Sequence, residues 1–257
     1  MTAVEDIDVL ETVNEDEVTG EYVTFDGEQY YCIANSHLMP EFFVSLVGAS
    51  HHWMFISSNG ALSAGRRNAE SALFPYYCSD KLLDMSESTG SKTIVRVPLS
   101  GGEFALWEPF SGSRSNGVSI RRNFYKNELG NRIILEEFND SLQLAFSYQW
   151  SFGKQFGFIR SCRLNNLGAV GQNVAFVDGI QNILPPGLGQ DFQSRFSNLG
   201  DAYKKSELVN ESQLGVHYLS SIPTDRAEPS EGLRSTTAWH YGLADSAVLL
   251  STKQLDA

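Results

Sequence analysis

At 257 residues, 42% hydrophobic and 12% aromatic, the chain has enough apolar material for one large domain or two small ones, which excludes a disordered polymer. Its formal charge of −12 is concentrated at one end: residues 1–28 hold ten acids and no Lys or Arg, leaving 21 acids against 19 bases. A near-neutral body behind an acidic leader does not attract nucleic acid, no run reaches the roughly 20 apolar residues of a membrane span, and an acidic N-terminus is not a secretory signal.

Residues 1–20 read as a frayed or lightly docked leader and residues 21–257 as the folded domain. Glu21–Ala34 contains two β-prone runs joined by Asp26-Gly27, the dipeptide of a two-residue type I′ hairpin. Glu41–Ile56 predicts another pair of strands, and Asn59-Gly60 turns the chain into Ala61-Leu62-Ser63. Short β runs follow at Thr93–Val97 and Glu103–Trp107, then a Ser/Gly loop carrying Arg114.

The segment Arg132–Asn166 organises the rest. Leu142, Leu144, Phe146, Tyr148 and Trp150 alternate with Gln143, Ala145, Ser147 and Gln149, a period of two that gives a strand with one apolar face. Turns at Asn139-Asp140 and Phe152-Gly153-Lys154 make an antiparallel meander of three strands, whose apolar face requires a second layer. Asn173–Val177 predicts one more strand before Pro185-Pro186 stops regular structure. Phe192, Phe196, Leu199 and Tyr203 recur at helical spacing, predicting a helix over Gln190–Val209. Strands resume at Val216–Ser220, Leu233–Tyr241 and Ser246–Ser251. Many short strands with one helix give an all-β sandwich of two large antiparallel sheets. The last residues follow a strand without a linker, which reads as a domain cut from a longer polypeptide.

Few residues stand out chemically. Glu136-Glu137 point to opposite faces of a strand, cannot act as a paired acid and base, and read as a solvated strand end. His51-His52 also diverge and have no ligand-spaced neighbours for a metal. His37, His217 and His240 are scattered. No nucleophile elbow and no Gly-rich phosphate or dinucleotide loop occurs, so no cofactor is expected. The odd number of cysteines (Cys32, Cys78, Cys162) suits reduced thiols in the cytoplasm. Trp150 shares the core parity, whereas Trp53, Trp107 and Trp239 are core or interface positions that also offer indole faces to a sugar. Arg66, Arg67, Arg114, Arg121 and Arg122 form a cationic set in loops, suited to fork-like contacts with carboxylates or phosphate.

The order Phe55-Ile56-Ser57-Ser58-Asn59-Gly60-Ala61-Leu62-Ser63, followed by Arg66, Arg67, Phe74, Tyr76 and Tyr77, resembles the opening of glycoside phosphorylases of the cellobiose and chitobiose type. Phe158–Asn166 is similar to their strand ending in "L-x-N". The family's second glycine and following aromatic are Ala61 and Leu62 here, and its Arg/Tyr segment reads Glu70–Pro75. The resemblance implies a galactose-mutarotase-like super-sandwich, the non-catalytic N-terminal part of a carbohydrate-active enzyme. It would support an (α/α)6 catalytic domain of the same polypeptide, form part of a homodimer interface, and bind carbohydrate through Trp53, Trp107, Trp239, Arg66, Arg67 and Arg114. The implied parent reaction is phosphorolysis or hydrolysis of a β-linked glycoside. A free-standing mutarotase-like aldose epimerase is the alternative, needing a His acid and a carboxylate base such as His217 or His240 with Asp178 or Glu228.

Overall fold

The alternation at Leu142–Trp150 becomes a strand of the largest sheet, paired on both sides. The computed structural model describes residues 17–76, 79–111, 119–222, 232–243, 245–251 and 254. Within them 47% of the chain is strand and 12% helical, all sheets being antiparallel. Among the described residues fifteen strands occur in chain order: β1 (Thr19–Phe25), β2 (Glu28–Ala34), β3 (Phe43–Val47), β4 (His52–Ser57), β5 (Leu62–Arg66), β6 (Gly90–Pro98), β7 (Phe104–Trp107), β8 (Ile120–Asn127), β9 (Ile133–Asn139), β10 (Leu144–Gly153), β11 (Gly157–Asn166), β12 (Ala175–Gln181), β13 (Lys204–Val209), β14 (Leu214–Leu219) and β15 (Ser235–Ala238).

The first layer is a six-stranded sheet in the order β1-β2-β8-β9-β10-β11. The expected meander is its C-terminal half, with Tyr148 opposite Leu135 on one side and Cys162 on the other. The expected β1–β2 hairpin turns at Asp26 and Gly27, whose φ angles of 49° and 73° are the positive pair of a type I′ turn. The second layer is not one large sheet but the three-stranded sheets β3-β4-β5 and β12-β6-β7. Leu46, Met54, Ile56 and Leu62 from one, and Val95, Val97 and Trp107 from the other, interlock with Phe124, Leu135, Phe146, Tyr148 and Trp150. This is a sandwich core. A further sheet, β13-β14-β15, meets Leu184 and Leu188 through Leu219.

Strand β1 begins at Thr19, two residues before the expected start of the folded domain. Three expectations need correction. Arg121 and Arg122 lie on strand β8 and not in a loop. The helical period holds only as far as Tyr203, as two short helices, α1 (Gln190–Arg195) and α2 (Ser197–Tyr203), separated at Phe196. Lys204–Val209 leaves the helix to pair with β14, since it gains a complete ladder there. Ser246–Ser251 forms no strand; Leu250 and Ser251 give their N–H groups to Gln254 Oε1.

Candidate functional site

Adjacent glutamates open to opposite faces of β9, and both are buried where solvent was expected. Toward the core, Glu137 is 0% exposed and accepts from Trp107 Nε1–H at 2.8 Å, Phe110 N–H at 2.7 Å and Arg122 Nε–H at 2.8 Å. A buried carboxylate is tolerated only with such a complete donor set. On the other face, Glu136 Oε2 accepts from the Tyr125 hydroxyl at 2.7 Å and Asn123 Nδ2 at 3.2 Å. Burial raises the Glu136 pKa, and the bonds from Tyr125 and Asn123 oppose the rise only in part.

Arg122 also anchors a turn. Its N–H donates to His37 Nδ1 at 3.2 Å, and its carbonyl accepts from Ser36 Oγ at 3.2 Å. The turn Ser36–Leu38 follows Asn35, whose left-handed backbone (φ 55°) reverses the chain after β2. Beneath it is a cleft of about 90 Å³ lined by Ser36, His37, Met39, Glu41, Ser58, Asn59 and Arg122. Burial, then the guanidinium groups of Arg122 and Arg121, lower the His37 pKa.

Asn59 forms the partition to a second cleft. Its Oδ1 accepts from Ser57 Oγ and Ala61 N–H, and its Nδ2 donates to the Leu83 carbonyl at 2.9 Å. Behind it, Lys92 bridges Glu108 and Glu87. Burial works against the Lys92 charge, but the bonds it donates to Glu108 and Glu87 outweigh it and the pKa rises. Tyr148 also lines this cleft, its buried hydroxyl unpartnered among the described residues. The space, about 20 Å³, takes about one water and no sugar.

The expected site residues do not converge. Trp107 is 4% exposed and its one donor is taken by Glu137. Trp53, on the outer face of β4, packs edge-on against Tyr76. Arg66 and Arg67 are exposed at the end of β5, Arg66 opposite His52 in register. Trp239 is half-exposed and touches Phe156, 5.6 Å between ring centroids. Arg114 lies outside the described residues, as does Glu228. Asp178 is held by Arg160 and Thr93, His217 by Ser206 and His240 by Ser246. The cleft residues His37 and Glu41 carry no local motif; only the Ser58-Asn59-Gly60 stretch, part of the run that carries the resemblance, marks the place.

Among the described residues no group of three His, Cys, Asp or Glu is placed to hold a metal ion, and no helix is long and apolar enough to cross a membrane. No protein-family model matches the chain, and no curated protein matches it.

Proposed function

We propose that the chain is the non-catalytic β-sandwich of a carbohydrate-active enzyme similar to glycoside phosphorylases, bracing an (α/α)6 catalytic domain that acts on a β-linked glycoside. The observation that carries this reading is an aromatic row on the outer face of β3-β4-β5. Phe43, Phe55, Trp53 and Tyr76 follow one another at centroid separations of 6.4, 5.9 and 5.9 Å, flanked by Val47, 62% exposed. Trp53 and Tyr76 are half-buried against Ala72, Leu184, Leu188 and Leu219, whereas Phe43, Phe55 and Val47 form the exposed end of the row, and exposed apolar surface of this kind marks an interaction face.

The rings lie at 67°, 51° and 83° to one another. Such tilts do not make the flat platform on which a sugar's C–H face stacks; they suit interdigitation with side chains of a packed domain. The interior carboxylates support a bracing role, because Glu137 and Asp178 spend their oxygens on the framework's own donors. Free thiols at Cys32 and Cys162 suit a reducing, cytoplasmic setting.

Polarimetry of fresh α-glucose and α-galactose solutions tests the reading. The chain is expected to leave mutarotation at its spontaneous rate, and acceleration by it would replace this reading with the epimerase. In the gene, a continuous frame encoding a helical catalytic domain is expected; its absence removes the bracing role.

A further inference from the structure

We propose that the cleft under the Ser36–Leu38 turn is a subsite for one hydroxyl-bearing edge of a neutral sugar ring. The choice of a sugar rests on the carbohydrate reading above, whereas the site rests on its own geometry.

Donors and acceptors stand side by side there. Because Arg122 N–H occupies His37 Nδ1 at 3.2 Å, the ring proton belongs on Nε2, which therefore donates and has no protein partner among the described residues. The lowered pKa keeps this ring neutral at pH 7. Ser58 Oγ accepts from Phe42 N–H at 3.2 Å, so its own hydroxyl proton is free to be given. Glu41, exposed on the rim, offers a carboxylate that only accepts. A vicinal diol both gives and takes hydrogen bonds, and matches this mixture.

Charge separates a sugar from an anion. The Arg122 guanidinium is matched by the fully buried Glu137 carboxylate at 2.8 Å, and Arg121 is matched by Asp140 at 3.0 Å. Glu41 then leaves the cleft with excess negative charge. Phosphate and sugar phosphates are disfavoured, and a neutral ligand is not. Size sets the depth of entry: about 90 Å³ admits a few hydroxyl groups and leaves most of a pyranose in solvent. The affinity expected of so partial an enclosure is millimolar.

The test is an amide and side-chain NMR titration of the whole chain with glucose, galactose, N-acetylglucosamine and, separately, inorganic phosphate. At least one sugar is expected to give saturable shifts centred on His37, Ser58 and Arg122, weakened about tenfold in His37→Ala and in Ser58→Ala. Glu41→Gln, an exposed and fold-neutral change, is expected to weaken binding as well and decides the matter if His37→Ala does not fold. Phosphate competing for the same residues overturns the proposal in favour of an anion site. Shifts confined to Trp239 and Phe156 overturn this site while leaving a sugar-binding sandwich. Absence of any sugar shift overturns the subsite, and the bracing role is then judged by the mutarotation and reading-frame results alone.

Discussion

Arg160 grips Asp178 with two parallel bonds, Nη1 to Oδ2 at 2.7 Å and Nη2 to Oδ1 at 2.8 Å. Arg160 is on β11 of the six-stranded sheet and Asp178 on β12 of the facing layer, so this pair crosses the sandwich. Thr93 donates to the same carboxylate at 2.6 Å, and Ser91 accepts from Arg160 Nε at 2.8 Å. The polar groups left over by each ion are therefore satisfied, the condition under which a buried pair holds its geometry.

Removing one partner is consequently costly. Asp178→Ala leaves a guanidinium of 5% side-chain exposure without its counter-ion and is expected to destabilise the chain by about 3–5 kcal/mol. Replacing both residues, as Arg160→Met with Asp178→Leu, should cost clearly less than the sum of the single changes. Urea unfolding of the four proteins measures this, and additive losses would show that the pair is not coupled.

The same contact sets an acid limit. Burial alone would raise the Asp178 pKa, but the bond and charge of Arg160 dominate and hold it below the ordinary carboxylate value. A lowered folded-state pKa means that the unfolded chain takes up the proton first as pH falls. Stability from this group is thus complete above the usual aspartate value and disappears as pH drops through the folded one. Acid titration followed by near-ultraviolet circular dichroism should place the loss below about pH 4 in the parent, and Asp178→Asn should remove that contribution.

His52 titrates in the opposite sense to a paired histidine. It stacks on Phe152 at 5.8 Å and meets Phe158 edge-on at 5.0 Å, with Nδ1 buried and unpartnered among the described residues. Burial, then Arg66 and His51, lower its pKa. The unfolded state, with the normal value near 6.5, binds the proton that the folded state refuses, so stability falls as pH drops below about 6.5. Thermal melts between about pH 7.5 and about pH 5 should show that decline, and His52→Phe should flatten it. An unchanged slope in the variant would assign the decline to other groups.

Much of this arrangement was legible in local pattern. The parity of Leu144, Phe146, Tyr148 and Trp150 placed the core face, and Asp26-Gly27 placed the first hairpin. Strand β8 escaped notice because its apolar residues are few at the start: Arg121, Arg122 and Asn123 look like loop, and become strand-compatible only through Asp140, Glu137 and Glu136 on the neighbouring chain segments. Glu137 escaped for the same reason. Its donors Trp107 and Phe110 lie 30 and 27 residues away, beyond any periodicity. Lys204–Val209 was drawn into a helix by the run of Phe192, Phe196, Leu199 and Tyr203, but its partner strand lies further along the chain and prevails. The cleft at His37 depends on a hydrogen bond to residue 122, 85 positions on, and so had no local trace.

Trp107 separates a structural indole from a ligand-binding one. Its Nε1–H is one of three donors to a carboxylate that has no access to water, and hydrogen bonds to buried charges contribute about 1.5–3 kcal/mol. Trp107→Phe keeps most of the apolar volume while deleting that donor, so a loss of that size is expected in urea unfolding, with the slope unchanged. Because the ring is enclosed by the two layers, any sugar affinity of the folded protein should be unaltered. A variant of parental stability that had lost sugar binding would instead mean that the indole leaves the core to meet its ligand. Glu137 would then need another donor in place of Nε1–H.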